Sequence, residues 1–416
     1  MLGTIAIFPI FFAFWHKNFN KLIASILLSI PVVIWLMNSQ HSQLLFHTLL
    51  FEYVPFIVLL ASLYIITGGL HLDSNITSRP ETNTFLLALG GVFASVLGTT
   101  GASMLLILPL MKILKKREYK IHTLLFLIAI VGNTGGLLTP IGDPPLFMLY
   151  LKGTPFFWFL NLFPEWLFTN TLLLIIYFLT DRYYFSKEEA EIFHPTFKDF
   201  KLKITGKFNF IFLVIVLISV MIFTPDVFKN VNSETISLIR TFILILVSLM
   251  SILFTDKKIH KSNQFSWHPL EEVTYLFLGI FITMIPCLLY LEKNAEHLAK
   301  NSPMFFYYIS GILSSFLDNT PTAVTMHTLA KGLTVIANTS PTNDLVSGIP
   351  VSLLKSISIG SVYWGAMTYI GNGPNFMIKA IAEHNGVKMP HFFEYILKFS
   401  LIILLPIYIL VQLLFI

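Results

Sequence analysis

Two aspartates, Asp143 and Asp318, occur within stretches of sequence that are hydrophobic enough to enter a lipid bilayer. An ionised carboxylate there costs at least about 2.5–3.5 kcal/mol unless it is paired or hydrated, so such residues usually belong to an ion or proton pathway. Asp143 follows Gly142 and precedes two prolines without an N–H, which leaves oxygen atoms, the ligands of hard cations. The alternative is that each aspartate only caps the helix that follows it. The residue types therefore indicate a Na+ or H+ site.

Asp143 belongs to a ten-residue motif that the chain contains twice. Residues 139–148 read TPIGDPPLFM and residues 368–377 read TYIGNGPNFM, with Asn372 in the second copy at the position of Asp143. Lipid cannot satisfy the backbone groups that Gly and Pro release from a helix, so such breaks occur where protein or a water-filled cavity surrounds them. Paired breaks in two halves of a chain point to the substrate site of a secondary transporter.

Two longer apolar stretches, 85–111 and 303–330, carry polar, turn-forming centres. A single crossing takes roughly 17–25 residues, so each stretch is too long for one crossing and too short for two. We interpret both as re-entrant helical hairpins whose tips reach the membrane midplane. The hydroxyl, amide and glycine residues of the tips and breaks complete a candidate ion and substrate site with the two aspartates: Thr99, Thr100, Ser103, Asn133, Thr134, Thr139, Gly142, Asn319, Thr320, Thr368, Gly371, Asn372 and Asn375.

These uncharged residues allow more than one interpretation. Helix N-termini at the tips and breaks present free N–H groups, which favour an anionic substrate. For any one side chain, however, packing between helices is an equal alternative. The hydroxyl and amide groups therefore support a solute site without naming the solute.

The rest of the composition is typical of an all-α, polytopic membrane protein. Of the 416 residues, 55% are hydrophobic and only 12% are charged, and 40 are Phe, far more than a soluble domain keeps away from water. About ten transmembrane helices are predicted: 3–15, 21–37, 47–70, 121–150, 157–179, 208–223, 236–254, 269–291, 349–378 and 395–416. The spans 121–150 and 349–378 hold the two motifs, so we expect two helices broken at the midplane. The span 3–15 is short, and whether it crosses fully stays open.

The predicted elements recur in the same order in two halves. Residues 1–180 and 208–416 each contain three spans, a hairpin, a broken span and a closing span, and 181–207 form a loop between them. Five crossings per half is an odd number, so the second repeat is inverted relative to the first. This map puts every cluster of Lys and Arg on one face, which is expected to be cytoplasmic: 16–21, 112–120, 182–207 and 257–261. Both termini are then outside.

Several other classes of protein have no support in the sequence. The chain has no G-x-x-x-x-G-K-[ST] loop and no H-E-x-x-H motif, so ATP-driven transport and zinc proteolysis are not indicated. An intramembrane aspartyl protease would use Asp143 and Asp318 as a dyad, but Pro140 stands where its Gly-x-Gly-Asp run needs the first Gly. We expect no enzyme, no cofactor beyond coupling Na+ or H+, and no nucleic-acid partner. The expected partners are the lipid bilayer and a small solute, and a homodimer is compatible with the sequence.

Four segments resemble the ion transporter superfamily, in the branch of citrate transporters and D-type sodium:proton antiporters. They are GTTGASMLLILPL (98–110), GNTGGLLTPIGDPPLFMLYLKGTPFFW (132–158), SSFLDNTPTAVT (314–325) and GNGPNFMIKAIAEHNGVKMPHFFEY (371–395). The resemblance implies inverted repeats, two hairpins, a midplane site and a bacterial inner-membrane location. It makes Asp143 the counterpart of the buried aspartate of the antiporters. The chain departs from the carboxylate transporters, whose hairpin tips read Ser-Asn-Thr.

Two functional hypotheses follow. In the first, the protein exchanges Na+ for H+ by alternating access, and the two cations compete for Asp143 and Asp318. In the second, it is a Na+- or H+-coupled symporter that holds citrate or a dicarboxylate at the hairpin-tip amides. Two acidic residues and the lack of an obvious Lys or Arg in the predicted core favour cations as the exchanged species.

Overall fold

The described part of the chain is mostly helical and contains two small antiparallel sheets. The computed structural model describes residues 1, 3, 4, 8, 15, 17–39, 41–74, 77–188, 202–225, 227–336 and 345–416. The predicted span 3–15 and the loop 181–207 lie largely outside these residues. A chain this apolar can satisfy its backbone in lipid only inside helices, which explains the shortage of other structure.

Seven helices of the described chain are long and apolar enough to cross a membrane. They are Asn18–Asn38, Ser42–Gly68, Ile121–Leu138, Phe156–Phe185, Ser233–Phe254, His268–Lys293 and Phe392–Phe415. Phe208–Ile222 is a shorter apolar helix. The protein is therefore an all-α, polytopic membrane protein, as the sequence predicts.

The two predicted broken helices are both interrupted. Their parts are Ile121–Ile130, a 3-10 turn at Thr134–Leu138 and Pro144–Leu151 in the first, and Val351–Tyr363, a 3-10 turn at Trp364–Met367 and Gly373–His384 in the second. Each copy of the repeated motif begins in one interruption and continues into the helix that follows it. We call residues 131–143 the first break and residues 364–372 the second break.

Both long apolar stretches form helical hairpins. The first hairpin consists of Pro80–Leu97 and Thr99–Ile113, and the second consists of Pro303–Phe316 and Asn319–Ile336. Gly98 joins the arms of the first hairpin with φ 78°, a conformation that glycine adopts without strain. The hairpins extend beyond the predicted 85–111 and 303–330, because polar residues continue the outer turns of their helices.

The remaining elements are short connections. One sheet pairs His71–Ser74 with Leu202–Thr205, and the other pairs Leu345–Val346 with Ile349–Pro350. Short helices at Leu114–Lys116, Lys257–Ser262 and Ala295–Leu298 also lie outside the long helices. The strands of the first sheet are far apart in sequence, so a local hydrophobic pattern cannot show their pairing. The strands of the second sheet are close in sequence, but at two residues each they are too short to show a pattern. Neither sheet was predicted.

Contacts between connecting segments gather three of the basic loops at one end of the molecule. Arg117, which is 2% exposed, pairs with Asp181 over 2.7 Å and with Glu188 over 2.8 Å. The His71 ring contacts the Asn263 side chain over 2.6 Å, and the strand that begins at His71 pairs with residues 202–205. Residues 112–120, 182–188, 202–205 and 257–263 therefore share one end, which we call the basic end.

Cysteine labelling tests which face the basic end occupies. Ser186 and Ser262 are exposed at the basic end, and Asn232 is exposed at the opposite end of the helix Ser233–Phe254, about 33 Å away. In a Cys287→Ser background, we expect cysteines at Ser186 and Ser262 to react only with reagents that reach the cytoplasm. A cysteine at Asn232 should react from outside. Labelling of Ser186 and Asn232 positions from the same side would contradict the predicted topology.

Candidate functional site

The hairpin tips bind the two breaks through backbone hydrogen bonds. The N–H of Thr99 donates to the carbonyl of Gly142 over 2.8 Å, and the N–H of Asn319 donates to the carbonyl of Gly371 over 3.2 Å. The first N–H groups of a helix lack partners within that helix. The carbonyls of Gly142 and Gly371 lie between helical segments and have no helical partner either. Each pair of orphan groups therefore satisfies itself, and four predicted site residues meet in two matching contacts.

Two threonines of the repeated motif attach each break to its own hairpin. Thr139 Oγ1 donates to the carbonyl of Ser95 in the first hairpin. Thr368 Oγ1 donates to the carbonyl of Ser315 in the second hairpin over 2.5 Å. Both predicted site residues therefore hold backbone in place.

Glycines allow each break to fold back on itself. A Cβ added to Gly142 would lie 2.1 Å from the carbonyl oxygen of Gly136. A Cβ added to Gly371 would lie 2.5 Å from the carbonyl oxygen of Gly365. Backbone atoms cannot move away as a flexible side chain can, so any larger residue overpacks the site.

The carboxylate of Asp143 lies at the centre of the site, 1% exposed. Its Oδ1 accepts hydrogen bonds from Thr99 Oγ1 over 2.6 Å and from Asn372 Nδ2 over 3.1 Å. Its Oδ2 accepts a hydrogen bond from Asn319 Nδ2 over 2.7 Å. Hydrogen bonds to an ionised acceptor are roughly twice as strong as those between neutral groups. One carboxylate thus joins the first hairpin, the second break and the second hairpin.

A second set of amide contacts joins the two breaks directly. Asn133 Nδ2 donates to Asn375 Oδ1 over 2.7 Å, and Asn372 Nδ2 donates to the carbonyl of Gly132 over 3.0 Å. Asn375 Nδ2 in turn donates to the carbonyl of Gly365 over 2.8 Å. Asn133, Asn372 and Asn375 therefore form one buried network across the breaks, next to Asp143.

Asp318 has a different environment. Its side chain is partly exposed and lines a cavity, and its Oδ1 accepts a hydrogen bond from the N–H of Thr320 over 3.0 Å. This contact is that of a residue capping the helix Asn319–Ile336. The neighbouring Asn319 is the side chain of the second hairpin that reaches Asp143.

Of the other predicted residues, two line a cavity and two are buried away from it. Thr100 and Thr320 line the cavity beside the hairpin tips. Thr134 is turned toward the helix Phe163–Phe185, where its Oγ1 donates to Asn170 Oδ1 over 2.8 Å. Ser103 is fully buried, and its Oγ has no hydrogen-bond partner among the residues that the structure describes.

A cavity of about 450 Å³ leads from the hairpin tips toward the basic end. Its inner end is lined by Thr99, Gly142, Asp318 and Asn372. Its other end is lined by Lys21, Gln264, Ser266, His268 and Glu272, of which Gln264, Ser266 and His268 are exposed on the surface. The cavity therefore connects the surroundings of Asp143 with the basic end of the molecule.

Two charged residues of this cavity were missed by reasoning from sequence. Lys21 belongs to the helix Asn18–Asn38, which begins three residues before the predicted span, and it turns inward to Glu272. Basic residues near the end of a span usually extend toward water instead. A Lys within a helix and a pair of Glu early in another helix are the only local signals, and neither identifies the partner.

Membrane-spanning helices, two broken helices and a cavity beside a buried carboxylate define a multi-pass membrane transporter. All of residues 1–416 match the model of a family described as "Putative citrate transport", and the chain belongs to this family. The match confirms the resemblance to the citrate transporter branch that the motifs indicate. No curated protein matches the chain.

Proposed function

We propose that the protein is a secondary active transporter that works by alternating access and exchanges Na+ for H+ at Asp143. The observation that carries this proposal is the position of the Asp143 carboxylate, which is buried and bonded to both hairpin tips and to the second break. Loss of its charge changes contacts in both halves of the chain at once. Coupled exchange requires only that Na+ and H+ bind to the same site in turn and that binding changes the contacts between the two halves of the chain.

Two inverted repeats, 1–180 and 208–416 with the loop 181–207 between them, are part of this proposal. Support comes from contacts that occur once in each half: a tip N–H on a glycine carbonyl, and a threonine hydroxyl on a hairpin carbonyl. The backbone also matches, with φ −145° and ψ 143° at Asp143 and φ −148° and ψ 142° at Asn372. On this proposal the cavity opens to the cytoplasm, because the basic end is cytoplasmic by the positive-inside rule.

Oxygen atoms for Na+ are available next to Asp143. Asn319 Oδ1 is buried and has no hydrogen-bond partner among the described residues. The hydroxyl oxygen of Thr99 lies 2.6 Å from Asp143 Oδ1. Asn319 Nδ2 donates a hydrogen bond to Asp143. Rotation of the Asn319 side-chain amide by about 180° would instead place its carbonyl oxygen beside a cation or a proton bound to the Asp143 carboxylate. Carboxylate, amide and hydroxyl oxygens suit a hard cation. We propose that Asp143 and Asn319 form the core of the ion site. Asp318, which precedes Asn319 in the sequence, is a second carboxylate in the cavity beside this site.

Cation-coupled uptake of citrate or of a dicarboxylate is the second candidate. The cavity of about 450 Å³ is far larger than a Na+ ion requires, and the chain belongs to a family described by citrate transport. Pockets of this size are typical of small-molecule sites. The tip residues Thr99, Thr100 and Thr320 line the cavity and would contact the solute.

Purified protein in liposomes that contain a pH-sensitive dye separates the two candidates. For Na+/H+ exchange, addition of NaCl alone to the outside should release internal protons. For coupled uptake, a response should need citrate or another carboxylate in addition to the cation. Liposomes without protein provide the control for passive leakage.

The exchange proposal also predicts competition between Na+ and H+. Apparent Na+ affinity should weaken as the pH falls, because protons occupy the same carboxylate oxygens. By linkage, raising Na+ must release protons to the same extent. Measurement of Na+ affinity over about pH 6 to 9 tests this. Protons should compete with Na+ most strongly at the acidic end of the range and least at the basic end. An affinity that stays constant across the range would rule out a shared site.

A further inference from the structure

The open end of the cavity contains an ion pair between a buried lysine and a partly exposed glutamate. Lys21 Nζ lies 2.6 Å from Glu272 Oε1, and the side chains are 5% and 29% exposed. Both residues line the same cavity as the hairpin tips. The proposed exchange at Asp143 does not use them.

Neighbouring groups hold the Lys21 ammonium toward the cavity wall. Its Nζ also donates to Asn18 Oδ1 over 3.4 Å, while Asn18 Nδ2 donates to the carbonyl of His268 over 2.8 Å and to Glu271 Oε2 over 3.3 Å. An ammonium group has three N–H donors. The contacts with Glu272 and Asn18 account for two of them among the described residues, so a further acceptor can bind.

The charge distribution of the cavity makes this pair unusual. Among the described lining residues, Lys21 is the one lysine or arginine, whereas Glu272 and Asp318 both carry carboxylates. A buried ion pair contributes little net stability, because removal of two charges from water offsets their attraction. The pair is therefore better explained by a binding role than by a need for stability.

We infer that Lys21 binds a carboxylate group of the transported solute and that Glu272 is the carboxylate that the solute displaces. The solute carboxylate takes the place of Glu272 on the Lys21 ammonium, and the Glu272 side chain, which is 29% exposed, turns toward the water at the open end of the cavity. One ion pair is broken and another is formed. Two carboxylates beside one ammonium would otherwise repel each other. This inference rests on the carboxylate-uptake candidate and makes the solute an organic anion.

Calorimetric titration of the purified full-length protein with citrate tests the inference. The titration is made above about pH 7.5, where citrate is fully ionised. Glu272→Gln should bind citrate about tenfold more tightly than the wild type, because no second carboxylate competes for the Lys21 ammonium.

Variants of Lys21 give the second readout. Lys21→Met should weaken citrate binding about 30-fold or more, the usual cost of removing one partner of a buried charge pair. Lys21→Arg keeps the charge and should restore most of the binding. Lys112→Met is the matched control, since it removes an ion pair with Asp73 at the same end of the molecule, outside the cavity lining.

The outcomes separate this inference from the proposed exchange. Unchanged citrate binding by Lys21→Met, or no carboxylate binding by the wild type, overturns the role of Lys21. If Lys21→Met does not fold, Glu272→Gln decides, and a citrate affinity of this variant that is no higher than that of the wild type also overturns the inference. Asp143→Asn should still bind citrate at Lys21 although its coupled transport is lost, so failure at one site is distinguishable from failure at the other.

Discussion

Asp143→Asn should reduce coupled transport to background while the protein still folds. The amide cannot bind or release a proton, and it attracts Na+ less strongly than a carboxylate does. Thr99 and Asn372 can still donate to the new Oδ1, and Asn319 can turn its unpartnered Oδ1 toward the new amide. All three contacts can therefore persist, and we expect the melting temperature in detergent to change by only a few degrees.

Two variants complete this experiment. Asp73→Asn neutralises an ion-paired carboxylate that is 47% exposed at the basic end, and it should transport normally. Asp318→Asn should also lose coupled transport, because the cavity then loses a carboxylate. The protein should still fold, because the amide oxygen can accept the same hydrogen bond from the N–H of Thr320. Wild-type rates in Asp143→Asn, measured by sodium-driven proton release from liposomes, would leave Asp143 with a structural role only.

Gly142→Ala should destabilise the protein severely. The new Cβ would lie 2.1 Å from the carbonyl oxygen of Gly136 and 2.9 Å from its carbonyl carbon, and both are backbone atoms. Overpacking of a well-packed interior usually costs about 1–3 kcal/mol, and rigid neighbours raise the cost. The same shift would separate the carbonyl of Gly142 from the N–H of Thr99. We therefore expect low yield, a lower melting temperature and no transport.

Gly373→Ala is the matched control for this prediction. Gly373 lies next to the second break and lines the cavity, but nothing lies within 4 Å of a Cβ added there. Alanine also favours a helix more than glycine does, and Gly373 is the first residue of the helix Gly373–His384. This variant should fold as well as the wild type. Equal stability of Gly142→Ala and Gly373→Ala would show that the first break is not close-packed.

The sequence predicts the broken helices and the hairpins well because their signals are local. A repeated Gly and Pro motif marks each break, and a polar centre in an overlong apolar stretch marks each hairpin tip. The position of Asp143 in the first break was likewise predicted from its immediate neighbours, and its side chain is buried there. The boundaries are less accurate, since the helix Asn18–Asn38 and the second arm Asn319–Ile336 both include polar residues that the apolar pattern does not cover.

Contacts between distant segments could not be predicted in the same way. Asp318 and Asp143 were expected to share one site because the hairpin tip and the break that carry them should meet at the midplane. The side chain of this tip that hydrogen-bonds to Asp143 is that of Asn319. Consecutive helical residues point in directions about 100° apart, and the sequence does not give the rotation of the helix. An amide is also the better neighbour electrostatically, because it donates a hydrogen bond where a second carboxylate would repel.

The pairing of Lys21 with Glu272 was hidden for a related reason. The two residues belong to helices that pack side by side, although more than two hundred residues separate them. Hydrophobic patterns give the position of each helix end but not the identity of its neighbour. The sequence therefore predicts which elements form the site and leaves open which side chains meet within it.

The order in which the hydrogen-bond donors of Asp143 are synthesised has a consequence for the insertion of the protein into the membrane. Ribosomes synthesise the N-terminal half first, so Asp143 enters the membrane together with Thr99. Asn319 and Asn372 follow only 176 and 229 residues later. Until then the carboxylate has one of its three donors, and water or a proton must take the place of the others. The first half is therefore made with an incomplete polar centre, and insertion of the second half completes it.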